Sequence, residues 1–375
     1  MNYAIDIGGG SSITVTGNTI LNARRGVWIS PAGTGYLVSS NRFNLVDTGI
    51  GINSGTGVTI TGNTFTINGG QFDGTVGGGS TTVTNPIRIT NNTINATATG
   101  PGLCWGMNIN DWGASSAIYA VITGNRVNFT SSGGSVTGIG MNGAIGVDLG
   151  GPLSRIVVSG NTINVDVTSS GIGSEGRGIA LIGPEELWAD TTGLSNNTID
   201  VDSSGRGLVA GVYTQMDDDT YVNINNNVMT GLTGAGDVYG IRSFTTIGHP
   251  DAGIYGVSGN PNTITGNRIG LNAGSDGTGI YVGAEGNIFA TVTGNPQINV
   301  IGTGEAVGGR FYANGTIGNT GSVPSYFQNN SGTINGGANR YLLNLWTGVN
   351  GTVNFFNWSG NSFTPVGGGG TWSGG

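Results

Sequence analysis

Residues 58–65 read Val58-Thr59-Ile60-Thr61-Gly62-Asn63-Thr64-Phe65, and the fold can be read outward from this octet. Before the Asn, apolar and polar residues alternate, which turns Val58 and Ile60 to one face of a strand. Phe65, the next apolar residue, comes five positions after Ile60. In a straight strand an odd interval would send one of the two outward. A bend therefore lies between them, at Gly62-Asn63, where positive φ is tolerated. The octet is strand, corner, strand.

The same pattern, V/I/L-[TSN]-[GNS]-N-x-[IFVM], returns along the chain with its Asn at Asn18, Asn41, Asn63, Asn92, Asn125, Asn161, Asn197, Asn227, Asn267 and Asn295. Intervals run from 22 to 40 residues, and weaker copies follow at Asn330 and Asn361. A second motif, Gly-apolar-x-apolar, trails each corner, as in Gly26-Val27-Trp28-Ile29, Gly138-Ile139-Gly140-Met141, Gly178-Ile179-Ala180-Leu181 and Gly279-Ile280-Tyr281-Val282. Short strands and corners recurring at this period describe a solenoid, whose coils bury their apolar faces by stacking. Stacked corners would bring the Asn amides about 4.8 Å apart, close enough for a hydrogen-bonded ladder. The expectation is an all-β fold of about ten to twelve coils. Propeller blades would carry WD or kelch marks, and a left-handed β-helix would keep strict hexads; neither is seen.

These corners, alternating with Gly-Ile-x-Leu strands, resemble the right-handed parallel β-helix of the pectate-lyase-like superfamily. That group includes polysaccharide lyases, hydrolases and epimerases, surface adhesins, and bacteriophage tailspikes and tail fibres. The resemblance covers roughly residues 1–310 and speaks to fold, because the repeated residues are structural. No catalytic signature of the family is present to carry over. Beyond 310 the repeat loosens and aromatics rise, from Phe311 and Tyr312 to Trp358 and Trp372. Residues 311–375 are accordingly expected to form a β-rich C-terminal cap or oligomerisation region with a flexible Gly-rich end.

Composition narrows the function classes. The 375 residues include 76 Gly, and all twelve basic residues are Arg, against twenty Asp and Glu. A net charge of −8 without a basic cluster gives nucleic acid no electrostatic foothold. One Cys (Cys104) and one His (His249) cannot build a zinc site or an internal disulfide, so no cofactor or metal is expected. There is no apolar run of membrane-spanning length, and the opening MNYAIDIGGGSSITV does not read as a signal peptide. Gly138–Gly143 matches G-x-G-x-x-G inside a strand-rich repeat and opens no helix, so it carries no nucleotide reading.

Glycosidic hydrolysis needs paired carboxyl groups at a set separation, and coils about 4.8 Å apart supply such separations. Loops after successive Gly-Ile-x-Leu strands carry acids, among them Asp217, Asp218, Asp219, Asp251 and Glu285. Asp218, Asp219 and Glu285 are the candidate catalytic carboxylates; the competing reading is a set of solvated loop acids. Arg177 and Arg206 could stabilise charge in a lyase, although pairing with Glu175 accounts for Arg177 without a substrate. In the Gly-apolar-x-apolar strands the residue between the apolar pair points out. That places Tyr213, Arg242 and Tyr281 in one outward column, with Trp188 and Tyr221 near it and a shallow depression over Gly140 and Ala180. The column reads as a carbohydrate groove or, alternatively, as a buried face between subunits. The resemblance and this column together point to a homotrimeric virion protein of tailspike or tail-fibre type that binds a cell-surface glycan, with or without depolymerase activity. A secreted polysaccharide-active enzyme and a bacterial surface adhesin are the alternatives.

Overall fold

The computed structural model describes residues 3–29, 33–47, 49–52, 56–69, 73–75, 85–99, 103–110, 118–132, 143–150, 153–171, 173–183, 193–216, 220–245, 255–256, 261–318, 325–336, 338–348, 351–354 and 356–366. Among the described residues every regular element is a strand, and the pairings are parallel. The chain is a parallel β-solenoid, because strands recurring once per coil join the same sheets. Strands that precede the corners form a twelve-stranded sheet from Thr14–Thr16 to Phe356–Ser359. Those that follow form a second twelve-stranded sheet, from Thr19–Ala23 to Ser362–Pro365. The Gly-apolar-x-apolar strands make the third side in two sections, of three and of nine strands.

The corner is a single left-handed residue. Gly17, Ser40, Gly62, Asn91, Gly124, Gly160, Asn196, Asn226, Gly266, Gly294, Asn329 and Gly360 have φ between 53° and 68°, and each immediately precedes a ladder Asn. This is why the motif permits Gly, Asn and, once, Ser there. The reversal lets Ile60 and Phe65 both point inward, at 1% and 5% exposure, despite their odd spacing. Inside, like stacks on like: Val38, Ile60, Ile89, Ile122, Val158 and Leu194 are successive register partners, all buried. Each coil closes its neighbour's apolar face, so the core is one continuous column.

The Asn amides form the ladder. Each, from Asn18 to Asn330, donates an Nδ2–H to the Oδ1 of the next corner Asn over 2.8–3.1 Å. Its backbone N–H reaches the same oxygen at 2.9–3.1 Å. The second amide hydrogen turns back to a carbonyl of the previous coil, as from Asn161 to Ile122 O at 3.0 Å. The tightest backbone turn is thereby satisfied without water.

The third side contains a second bend. At Gly211 and Gly240 the pairing skips a residue, passing from Ala210↔Tyr239 to Val212↔Ile241. A Cβ at Gly240 would lie 2.4 Å from Ile269 Cγ2 and 2.5 Å from Gly279 O. Glycine here allows the third sheet to pack against the post-corner sheet.

Two sequence expectations need adjustment. The sheets do not break at 310, for Ser325–Gln328, Ser331–Gly336, Asn339–Thr347, Phe356–Ser359 and Ser362–Pro365 extend all three sides. Several of the tail's aromatics fill the interior in place of aliphatics: Phe311 meets Phe327 and Phe356, and Phe327 meets Phe363. Second, the third-side strand of the coil expected at 138–141 is Gly143–Gly150. Gly140 lies outside the described residues, and Asp148 takes its register position between Asn108 and Ala180.

Candidate functional site

The outward positions of the third sheet bring Tyr213, Arg242 and Tyr281 onto consecutive coils as direct register partners. Ala180 precedes them, and Arg310 and Asn344 follow. Two flanking outward columns complete the surface. One runs Arg177, Ala210, Tyr239, Thr278 and Val307; the other runs Gln215, Phe244, Gly283, Tyr312 and Trp346. In the flanking columns the small residues Ala210 and Gly283 interrupt the large ones, and the Tyr281 ring leans over Gly283.

The result is an interlocked layer of rings and guanidiniums. Arg242 Cζ lies 5.0 Å from the Tyr239 ring centre, 4.9 Å from Phe244, 5.6 Å from Tyr213 and 5.8 Å from Tyr281. Arg177 Cζ sits 4.0 Å over Tyr213. Edge-to-face contacts join Tyr213 to Phe244 at 5.7 Å, Tyr239 to Tyr281 at 6.1 Å and Phe244 to Tyr281 at 6.3 Å. Such pairs favour the offset of ring edge against ring face, and each guanidinium gains from the rings beside it. Burial pushes the Tyr213, Tyr239 and Tyr281 hydroxyls above the usual phenol range, with Arg242 opposing the shift in each case. The rings therefore stay neutral at physiological pH.

Tyr213 differs from the sequence expectation of an open stacking surface. It is 5% exposed, covered by Arg177, Arg242 and Phe244, and its hydroxyl donates to Gln215 Oε1 at 2.6 Å. An outward direction on a strand gives exposure only when no long neighbour folds over the side chain, and here Arg177, Arg242 and Phe244 do. Tyr281 and Arg242 are half-buried and form the more accessible part of the column. Tyr221 is half-buried next to Thr220. Trp188, Asp218 and Asp219 lie outside the described residues.

Glu285 is half-buried just past the end of Gly277–Ala284. Its Oε2 accepts from Asn314 Nδ2 at 2.8 Å, and its N–H donates to Thr245 Oγ1 at 3.0 Å. These bonds tie Glu285 to both adjacent coils. Arg177 is paired with Glu175, as its sequence neighbourhood suggested. Among the described residues no group of three or more His, Cys, Asp or Glu side chains is arranged to hold a metal.

One carboxylate cluster was missed by reading the loops alone. On the outer side of the post-corner sheet Asp166 is the register partner of Asp202, with Asp200 two residues away. Partial desolvation and then the Asp202 charge raise the Asp166 and Asp200 carboxyls. The alternation in Val165-Asp166-Val167 and Ile199-Asp200-Val201-Asp202 carried the signal, since acids between buried apolar residues must face out. This cluster is exposed and belongs to a different sheet from the aromatic layer.

No family model matches the chain, and no curated protein or solved structure matches it.

Proposed function

We propose that the chain is a structural and receptor-binding protein of bacteriophage tailspike or tail-fibre type, wound right-handed, whose third sheet recognises a glycan on the host surface. The carrying observation is the layer of Tyr, Phe and Arg on the outward side of that sheet. By contrast, Thr16, Ser39, Thr61, Thr90, Thr123, Ser159 and Ser195 stack along the outer side of the pre-corner sheet. A solenoid gains from large aromatic rings in its core; turned outward beside Arg, such rings suit recognition, where aromatics and Arg carry most binding energy. The corner repeat's resemblance to tailspikes and tail fibres supports a place in the virion, beside other virion subunits.

A second reading, a homotrimer interface reaching into 311–375, is favoured by one observation. Tyr213 is 5% exposed and already tiled over, whereas Trp346, in the adjoining outward column, is 64% exposed. The variants Tyr281→Ala and Trp346→Ala separate the two readings. A glycan surface loses binding to host cells and keeps its sedimentation coefficient; an interface dissociates. If both properties survive both substitutions, neither role belongs to this face.

A further inference from the structure

We infer that Arg242 anchors a carboxylate of the bound glycan, so that this face takes an acidic sugar, a hexuronate or sialate unit, rather than a neutral one. This rests on the glycan reading above. Three guanidiniums stand on the outward side of the third sheet, Arg177, Arg242 and Arg310, and each has its Nε buried with no hydrogen-bond partner. Two of them solve the charge in the same way. Arg177 Nη2 pairs with Glu175, and Arg310 Nη2 pairs with Glu305. Arg242, on a coil between them, makes no ion pair and no hydrogen bond among the described residues.

The reason is legible in the residues. Two positions before Arg242 stands Gly240, where Arg177 has Glu175. Five positions before it stands Asp237, where Arg310 has Glu305. Asp237 is one methylene shorter, and its Oδ1 accepts the backbone N–H of Asp276 at 3.2 Å. Of the Arg242 guanidinium nitrogens, Nε is the one shut off from solvent, which leaves the Nη edge open. Parallel N–H donors on that edge fit the two oxygens of a carboxylate, and walls of aromatic ring strengthen a charge-assisted bond by excluding water. The chain thus displays twice, at Arg177 and Arg310, the carboxylate that a guanidinium in this layer binds.

Tyr281 supplies the sugar part of the argument. Its ring leans over Gly283, where a Cβ would lie 2.9 Å from Tyr281 Cε1, and the side chain remains half-buried beside Arg242. An aromatic surface adjacent to a carboxylate anchor suits the C–H face of a pyranose better than an isolated carboxylate. The net charge of −8 works against any general attraction of polyanions, so binding of an acid at this face calls on a local anchor.

The test uses the full chain, with Arg242→Gln and, as a second variant that keeps the apolar stem, Arg242→Met. Each is applied to an array of uronate- and sialate-bearing oligosaccharides, with the carboxyl-reduced neutral counterpart beside every member. Sodium glucuronate, acetate and glutamate are also titrated while the arginine Nε–Hε resonances are followed. The expected result is binding of acidic members, at least tenfold weaker for their neutral counterparts and for both variants, with Arg242 shifting under glucuronate. Equal binding of acidic and neutral members would overturn the anchor and leave the glycan reading standing. Acetate and glutamate acting as well as glucuronate would overturn the sugar assignment in favour of a polypeptide carboxylate. A silent array together with a silent titration would overturn both.

Discussion

Asn161 Oδ1 accepts from both the backbone N–H and the side-chain amide of Asn125, while Asn161 itself donates to Asn197 and to Ile122 O. Replacing it with Leu leaves those partners buried and unmet on two neighbouring coils. We expect Asn161→Leu to destabilise by about 1–3 kcal/mol, seen as a lower urea midpoint. Asp202→Asn should act in the opposite direction. Asp166 and Asp200 have folded carboxyl values above their ordinary ones. The stability they contribute is therefore fully present below the unfolded value and is lost as pH rises through the folded one. Removing the Asp202 charge should stabilise the protein at neutral pH by about 0.2–1 kcal/mol. The gain should fade below about pH 4, where the carboxyls protonate, and melts at both pH values would show it. The ladder Asn residues were legible because stacking demands the same amide at every corner. The unpaired state of Arg242 was not, because it turns on the one-methylene difference between Asp237 and Glu305 and on a bond from Asp276.

Strands show where a local pattern stops being sufficient. Gly138-Ile139-Gly140-Met141 and Gly146-Val147-Asp148-Leu149 both match the third-side motif. What selects the second is pairing with neighbours on both sides: Val147 stands between Met107 and Ile179, and Leu149 between Ile109 and Leu181. Spacing cannot reveal that choice, since loop lengths between corner and third side vary freely. Glycines within these strands do different work, and their substitution should reveal it. Gly240→Ala forces a Cβ against Ile269 and the Gly279 carbonyl, and should cost about 1–3 kcal/mol through overpacking. Gly160→Ala meets nothing within 4 Å, so its cost is conformational, at φ 66°, and should be about 1–2 kcal/mol. A larger residue separates the mechanisms. Valine should be much worse than alanine at Gly240, where space is lacking, as compared melting temperatures would register.

In the whole molecule, contacts run from coil to coil, so stability should be close to a sum of coil and interface contributions. A chain ending at Gly304 removes the strands from Glu305 onward without cutting one in two. We expect it to fold, with a lower melting temperature and a circular-dichroism spectrum still that of a β-solenoid. On the trimer reading, it should sediment as a monomer where the full chain does not. An unchanged oligomer would remove 305–375 from the interface. The weak copies at Asn330 and Asn361 mark the corners of the last coils, although the expected solenoid stopped at 310. The aromatic enrichment after 310 was harder to interpret, because Phe residues replacing Ile and Val in a core look the same as Phe residues on a surface.

The corner ladder also has a direction. Every rung passes its backbone N–H and one amide hydrogen forward, from Asn18 toward Asn361, and its Oδ1 receives such a pair from behind, while the other amide hydrogen turns back to a carbonyl. The amide dipoles consequently align along the axis instead of cancelling, and the two extremities are chemically unlike. At Asn361 the backbone N–H and one amide hydrogen face onward; at Asn18 a carbonyl oxygen faces back. A neighbour that seals the first extremity has to present an acceptor, and one that seals the second has to present donors. The solenoid is thus a polar rod with non-interchangeable poles, and a covering group chosen for one would be electrostatically mismatched at the other.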